Sequence, residues 1–201
     1  LPHPSTRSFG NYELLEEIGC GGMGVVYRAK QLDLNRIVAL KMVLAGHFAS
    51  HDEIERFRCG AKAAAHLQHS NIVRTLDVAE YEGRHFFTMD YVAGKSLAEI
   101  VREQGPLTPR QAARYLKQIA EAIDYAHQQR TCHRDLKPAN VLIDETGEPR
   151  ITDFGLAKRL DDDPEMTKDT DFFGTASYMP PEQAARQWKD VGPPSDIYSL
   201  G

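Results

Sequence analysis

The apolar positions of the chain change their period near residue 95. Before that point they come in short runs rich in β-branched residues and broken by glycine. After it they recur at helical spacing. Residues 12–18 predict a strand, and Val25-Val26-Tyr27 a second; between them lies the stretch Gly19-Cys20-Gly21-Gly22-Met23-Gly24. Residues 36–43 predict a third strand, with Lys41 near its end. Residues 76–81 and 84–89 predict a hairpin turning at Glu82-Gly83. Residues 52–67 predict a helix with Ile54, Phe57, Ala61, Ala64 and Ala65 on or near one face. Gly60 in its middle costs about 1 kcal/mol relative to alanine. Residues 1–10 predict a loose leader, and 90–94 a short connector.

From Ser96 the pattern is helical. Ser96 with Glu99 forms a capping-box signature. Thr108, Pro109 and Gln111 form a second, with proline at the first helical position. The helix that follows carries Ala112, Leu116, Ile119, Ile123 and Ala126 at helical spacing, which predicts a long, core-facing element. Two short strands follow at 141–143 and 150–152, turning at Glu145-Thr146-Gly147. Residues 160–173 are acidic and aperiodic and predict a surface segment. The expected class is α+β in two lobes: a leader at 1–11, a small antiparallel β lobe with one helix at 12–89, a hinge at 90–94, and a mainly helical lobe from 95. Residues 196–201 look like the opening of an apolar helix, so the chain is expected to be a fragment with an incomplete second lobe.

Composition is that of a globular protein, 41% hydrophobic and 26% charged. A net charge of -5 supplies no basic footprint for nucleic acid. The cysteines Cys20, Cys59 and Cys132 make no Cys-x-x-Cys pair and no even set, which points to a reducing, cytoplasmic setting. No apolar run reaches the ~18 residues of a membrane span, and no signal peptide opens the chain. An anchor elsewhere in a longer parent stays open.

The chemistry concentrates in residues 131–140, Thr-Cys-His-Arg-Asp-Leu-Lys-Pro-Ala-Asn. Asp135, Lys137 and Asn140 crowd an acid, a cation and an amide between a helix and a strand. That is a poor way to build a core and a good way to hold a metal, a phosphate and a hydroxyl together. Asp153-Phe154-Gly155 follows shortly after. The glycine-rich stretch lies between two strands, so it is a hairpin and not the strand-to-helix unit of a Rossmann fold. Glycine there lets backbone N–H groups approach an anion.

In this order the motifs resemble those of a protein kinase, of the bacterial eukaryotic-like Ser/Thr class, over residues 12–201. Aminoglycoside-type phosphotransferases share the H-x-D-x-x-x-x-N loop, but Lys137-Pro138 and Gly174-Thr175 argue against them. The resemblance implies a two-lobed fold, ATP with Mg²⁺ (Mn²⁺ as the alternative ion), and Ser/Thr acceptors on proteins. Asp135 would take the hydroxyl proton and Lys137 would meet the γ-phosphate. Asn140 and Asp153 would hold the metal. Ile18, Gly19, Gly21, Gly22 and Gly24 would cover the nucleotide, and Lys41 would hold its α- and β-phosphates. Val26, Ala39 and Leu142 would sandwich the adenine, beside Met89 and the backbone of Asp90 and Val92. Arg134 implies a balancing phosphothreonine, with Thr167 and Thr170 as autophosphorylation candidates.

Three departures stand out. The family places on the helix a glutamate that pairs with the strand lysine; here that position holds Gly60. Glu55, five positions earlier, is rotated by about 500° and so lies on another face. The usual Ala-Pro-Glu reads Pro180-Pro181-Glu182, with Ala176 where proline is common. The arginine that pairs with Glu182 is expected beyond residue 201. Two functions therefore compete: a Ser/Thr kinase, favoured by Lys41, Asp135, Asn140 and Asp153, and a pseudokinase-like binding module, favoured by Gly60.

Overall fold

The computed structural model describes residues 7–21, 24–43, 61–62, 64–154, 176–185, 187 and 189–201. They divide into two compact units. One comprises Leu1–Ala65 with Arg74–Val92, the other His66–Val73 with Ala93–Gly201.

The first unit is a six-stranded antiparallel sheet. Its strands are β1 (Arg7–Phe9), β2 (Tyr12–Gly21), β3 (Gly24–Gln31), β4 (Arg36–Met42), β5 (Thr75–Tyr81) and β6 (Arg84–Asp90), in the order β1-β2-β3-β4-β6-β5. The pleat sorts its residues onto two faces. Phe9, Tyr12, Leu14, Ala29, Val38, Leu40, Met42 and Phe86 form one buried cluster. Ala39 and Lys41 alternate with them along β4 and point the other way.

β1 corrects the expectation of a loose leader. Phe9 is buried, and its ring meets Tyr81 at 5.0 Å and Phe86 at 5.2 Å, both edge-on. Such pairs each contribute about 0.5–1.5 kcal/mol beyond their burial. A strand of three residues with a single apolar side chain has too little pattern to be legible. Of the predicted helix at 52–67, residues 61–62 and 64–65 are helical, with Ala61 and Ala64 buried and Ala65 exposed. Gly60 and Glu55 lie outside the described residues.

The second unit joins α1 (Leu97–Gln104), α2 (Pro109–Gln128), α3 (Pro181–Ala184) and α4 (Pro193–Leu200) to a three-stranded sheet, β7 (Gly94–Ser96), β8 (Val141–Asp144) and β9 (Pro149–Ile151). Both predicted capping boxes are present: the Ser96 hydroxyl accepts from the Glu99 N–H, and that of Thr108 from Gln111. The segment His66–Val73 returns to this unit because its backbone needs partners there. The Ile151 N–H donates to the Asn71 carbonyl and the Val73 N–H to the Ile151 carbonyl, each at 2.8 Å.

α2 is core-facing only in its second half. Ile119, Ala122, Ile123 and Ala126 are buried, but Ala112 is exposed and Leu116 is 46% exposed. The first half binds the β8–β9 turn by polar bonds instead. The Arg114 guanidinium donates to the Gly147 carbonyl and the Glu148 carboxylate, both at 2.7 Å. Asp144 organises that turn. Its carboxylate accepts from the Thr146 hydroxyl, the Glu148 and Thr146 N–H groups and Arg150, which hold its pKa far below the ordinary value. Among the described residues no helix is long and apolar enough to cross a membrane.

Candidate active site

The residues singled out by sequence fall into two sets, one in each unit. In the first, strand register sets out a row: Gly19 opposes Val26, and Val26 opposes Lys41. One pleat along, Ala39 opposes Met89. Directly opposed residues share a face of the sheet, as do residues two apart. Val26, Ala39, Lys41 and Met89 thus occupy the face opposite the aromatic cluster.

Lys41, Ala39 and Met89 are buried, Val26 and Val92 half-buried, and Ile18, Gly19, Gly21 and Asp90 are near or at the surface. Gly24 has a φ of 151°, and a Cβ there would overlap the Met42 carbonyl oxygen. Only glycine lets β3 start this close to β4, next to Lys41. Gly22 lies outside the described residues. Cys20 is exposed.

The second set lies where α2 ends and β8 begins. Arg130 stands at φ 57°, and the Thr131 N–H closes the helix on the Ala126 carbonyl at 2.9 Å. His133 is fully buried and acts as a hub. Its Nε2 is 2.9 Å from the Thr152 carbonyl, and its Nδ1 is 3.3 Å from the Asp135 N–H. A carbonyl can only accept and an N–H only donate, so the ring proton sits on Nε2 and Nδ1 is the acceptor. The Phe154 ring packs edge-on against it at 4.8 Å.

Asp135 is held from two sides. The Lys137 ammonium lies 2.9 Å from Oδ2. The Asn140 amide donates to the same oxygen at 3.1 Å and to the Asp135 carbonyl at 2.7 Å. Asn140 is itself fixed by backbone bonds, from its N–H to the Lys137 carbonyl and from the Thr152 N–H to its own carbonyl. With Nδ2 turned to Asp135, the amide oxygen is the atom suited to a hard cation. Asp153 follows Thr152 at φ 64°, a left-handed conformation that non-glycine residues seldom adopt. Leu142 is half-buried on β8.

The sequence did not single out the residue that pins this loop. Asp196, on α4, is 1% exposed. Its Oδ2 accepts from the His133 N–H at 2.8 Å, and its Oδ1 from the Arg134 N–H at 2.7 Å. His127 Nε2 is 2.8 Å from Oδ2. On the far side of Arg134, the Gln183 amide donates to its carbonyl at 2.9 Å. Arg134 sits at φ 68°. Such a conformation costs about 1–3 kcal/mol and persists where surrounding bonds over-determine it. The one available signal was an acid inside an otherwise apolar helix start. Nearby, the Ser195 hydroxyl donates to the Glu182 carboxylate. Gly155, Thr167, Thr170, Gly174 and Thr175 lie outside the described residues.

The protein kinase domain family matches residues 12–201. The chain is 40% identical over 195 residues to serine/threonine-protein kinase PrkC of Bacillus subtilis, covering 97% of the chain and 30% of that protein. It is 42% identical over 206 residues to serine/threonine-protein kinase PknA of Mycobacterium tuberculosis, covering 100% of the chain and 47% of PknA. It thus spans less than half the length of these curated relatives. A crystal structure of the Mycobacterium tuberculosis PknI kinase domain superposes with a TM-score of 0.79 at 28% identity, covering 100% of the chain and 74% of the PknI chain. Ordered motifs, a pinned Asp135 and a match along nearly the whole length lead to one conclusion: the chain belongs to the protein kinase domain family.

Proposed function

We propose that the protein transfers the γ-phosphoryl group of ATP to Ser or Thr hydroxyls of proteins. The observation that carries this is the grip on Asp135, whose Oδ2 is held by Lys137 and Asn140 on a loop anchored through Asp196. Phosphoryl transfer asks a protein for positioning and charge neutralisation more than for covalent chemistry. Asp135 would orient the acceptor hydroxyl and take its proton. Lys137, already at the Asp135 carboxylate, would balance negative charge developing on the transferring group. Asn140 and Asp153 offer oxygen ligands, the donor type that Mg²⁺ or Mn²⁺ prefers. Either ion, when bound, would neutralise phosphate charge.

In the first unit, Ile18, Gly19, Gly21, Gly22 and Gly24 would cover the phosphates, and Lys41 would pair with them. Val26, Ala39 and Met89 would line the adenine site beside the backbone of Asp90 and Val92. The Lys137-Pro138 form of the loop and the Ser/Thr-kinase names of the relatives support Ser/Thr over Tyr. Autophosphorylation at Thr167 or Thr170 would supply the anion that Arg134 balances. A cytoplasmic site of action fits the reducing cysteine pattern. Phosphoamino-acid analysis after incubation of the full-length protein with Mg²⁺-ATP tests this reading. Phosphothreonine or phosphoserine is the expected product; phosphotyrosine alone would overturn it.

A further inference from the structure

The catalytic loop is anchored by more side chains than an anchor needs. Asp196 already receives two backbone N–H groups and faces His127. A third group joins them: the ligating atoms of His127, Cys132 and Asp196 all lie within 4.8 Å of one another. Among the described residues, none of the anchor's hydrogen bonds uses the Cys132 sulfur. It contributes instead what a nitrogen–oxygen pair lacks as a metal site, a soft third ligand.

We propose that His127, Cys132 and Asp196 form a binding site for Zn²⁺ or a similar borderline-soft dication, and that its occupation switches the catalytic loop off. Sulfur, imidazole nitrogen and carboxylate oxygen are the zinc donor set, with solvent left to complete a tetrahedron. Binding is a simple exchange with no redox step. The Cys132 thiol gives its proton to solvent and its sulfur bonds the ion. His127, whose Nε2–H donates to Asp196 Oδ2 without the ion, gives that proton to solvent and holds one on Nδ1, so that its Nε2 lone pair and Asp196 Oδ2 bond the ion.

One thiolate and one carboxylate neutralise the dication, which suits a buried place. Without the ion the same place disfavours a thiolate: burial, then the Asp196 charge, pushes the Cys132 pKa up. Metal binding is therefore pH-linked, releasing a proton. The inhibitory consequence follows from the shared oxygen. Oδ2 is the atom that takes the His133 N–H, so an ion drawing on Oδ2 weakens the bond that holds His133, and with it Asp135.

Co²⁺ titrated into the full-length protein reads binding without reference to activity. Wild type and Cys20→Ser should show a thiolate-to-metal charge-transfer band; Cys132→Ser and Cys132→Ala should lose it. A band that persists in the Cys132 variants, or is absent from wild type, overturns the site. A mutation-free check guards against variants that fold poorly. Excess Zn²⁺ should slow alkylation of Cys132, read by peptide mass, while Cys20 and Cys59 alkylate as before; an unprotected Cys132 overturns the site. The inhibitory role also rests on the proposed kinase activity. Zn²⁺ should inhibit phosphoryl transfer by wild type and fail to inhibit Cys132→Ser to the same extent, and equal inhibition of both refutes the switch while leaving the binding result to stand alone.

Discussion

Asp196→Asn isolates the anchor of the catalytic loop with almost no change in shape. The carboxylate accepts from the His133 N–H on one oxygen and the Arg134 N–H on the other. An amide offers only one acceptor oxygen, so whichever way it turns, an NH₂ faces an N–H donor. One charge-assisted bond is lost, about 1.5–3 kcal/mol, and a buried donor is left unsatisfied, about 1–3 kcal/mol. The remaining bond also weakens when its acceptor loses charge. A total of about 2.5–6 kcal/mol is the expectation. For a domain of this size that lowers Tm by roughly 5–24 °C. Thermal unfolding of wild type and variant at neutral pH checks it. A fall of less than about 2 °C, below one kcal/mol on the same scale, would refute the claim that Asp196 holds the loop.

Two further perturbations test other parts of the structure. Gly24→Ala places a Cβ on the Met42 carbonyl oxygen at a φ of 151°; it should destabilise by more than about 1 kcal/mol and weaken ATP binding, and wild-type melting with wild-type affinity would contradict the close approach of β3 and β4. Asp144, its pKa depressed chiefly by the Thr146 hydroxyl and the Glu148 N–H, contributes stability present above its unfolded pKa of about 3.9 and lost as pH falls through the folded value. The Tm gap between wild type and Asp144→Asn should therefore be widest at neutral pH and shrink in acid below about pH 4; a gap constant with pH would refute the assignment.

Much of the fold was legible because its signals are local. Strands β2 to β6 announce themselves by β-branched runs and turn residues, and both capping boxes by side chains three positions apart. What escaped depends on distant partners. Phe9 becomes a strand residue only because Tyr81 and Phe86 receive its ring. Leu116 keeps helical spacing but is exposed, since Arg114 and its neighbours tie that half of α2 to a polar turn. Asn71, Ile72 and Val73 leave the unit their sequence neighbours occupy because β9 supplies their backbone partners. In the site, the residue types of the 131–140 loop were readable, since chemistry dictates them. Its anchor was not: Asp196 is 63 positions from His133, and its only local signal is that of an acid inside an otherwise apolar helix start.

The most direct test compares transfer of radiolabelled γ-phosphate from ATP by the full-length protein and by its Asp135→Asn variant, with ATP binding measured on both. The asparagine cannot take the hydroxyl proton, so label incorporation should fall by about 10²–10⁴-fold while ATP still binds. Label absent from wild type with ATP bound, or equal label in both proteins, would contradict the assignment of phosphoryl transfer to this loop.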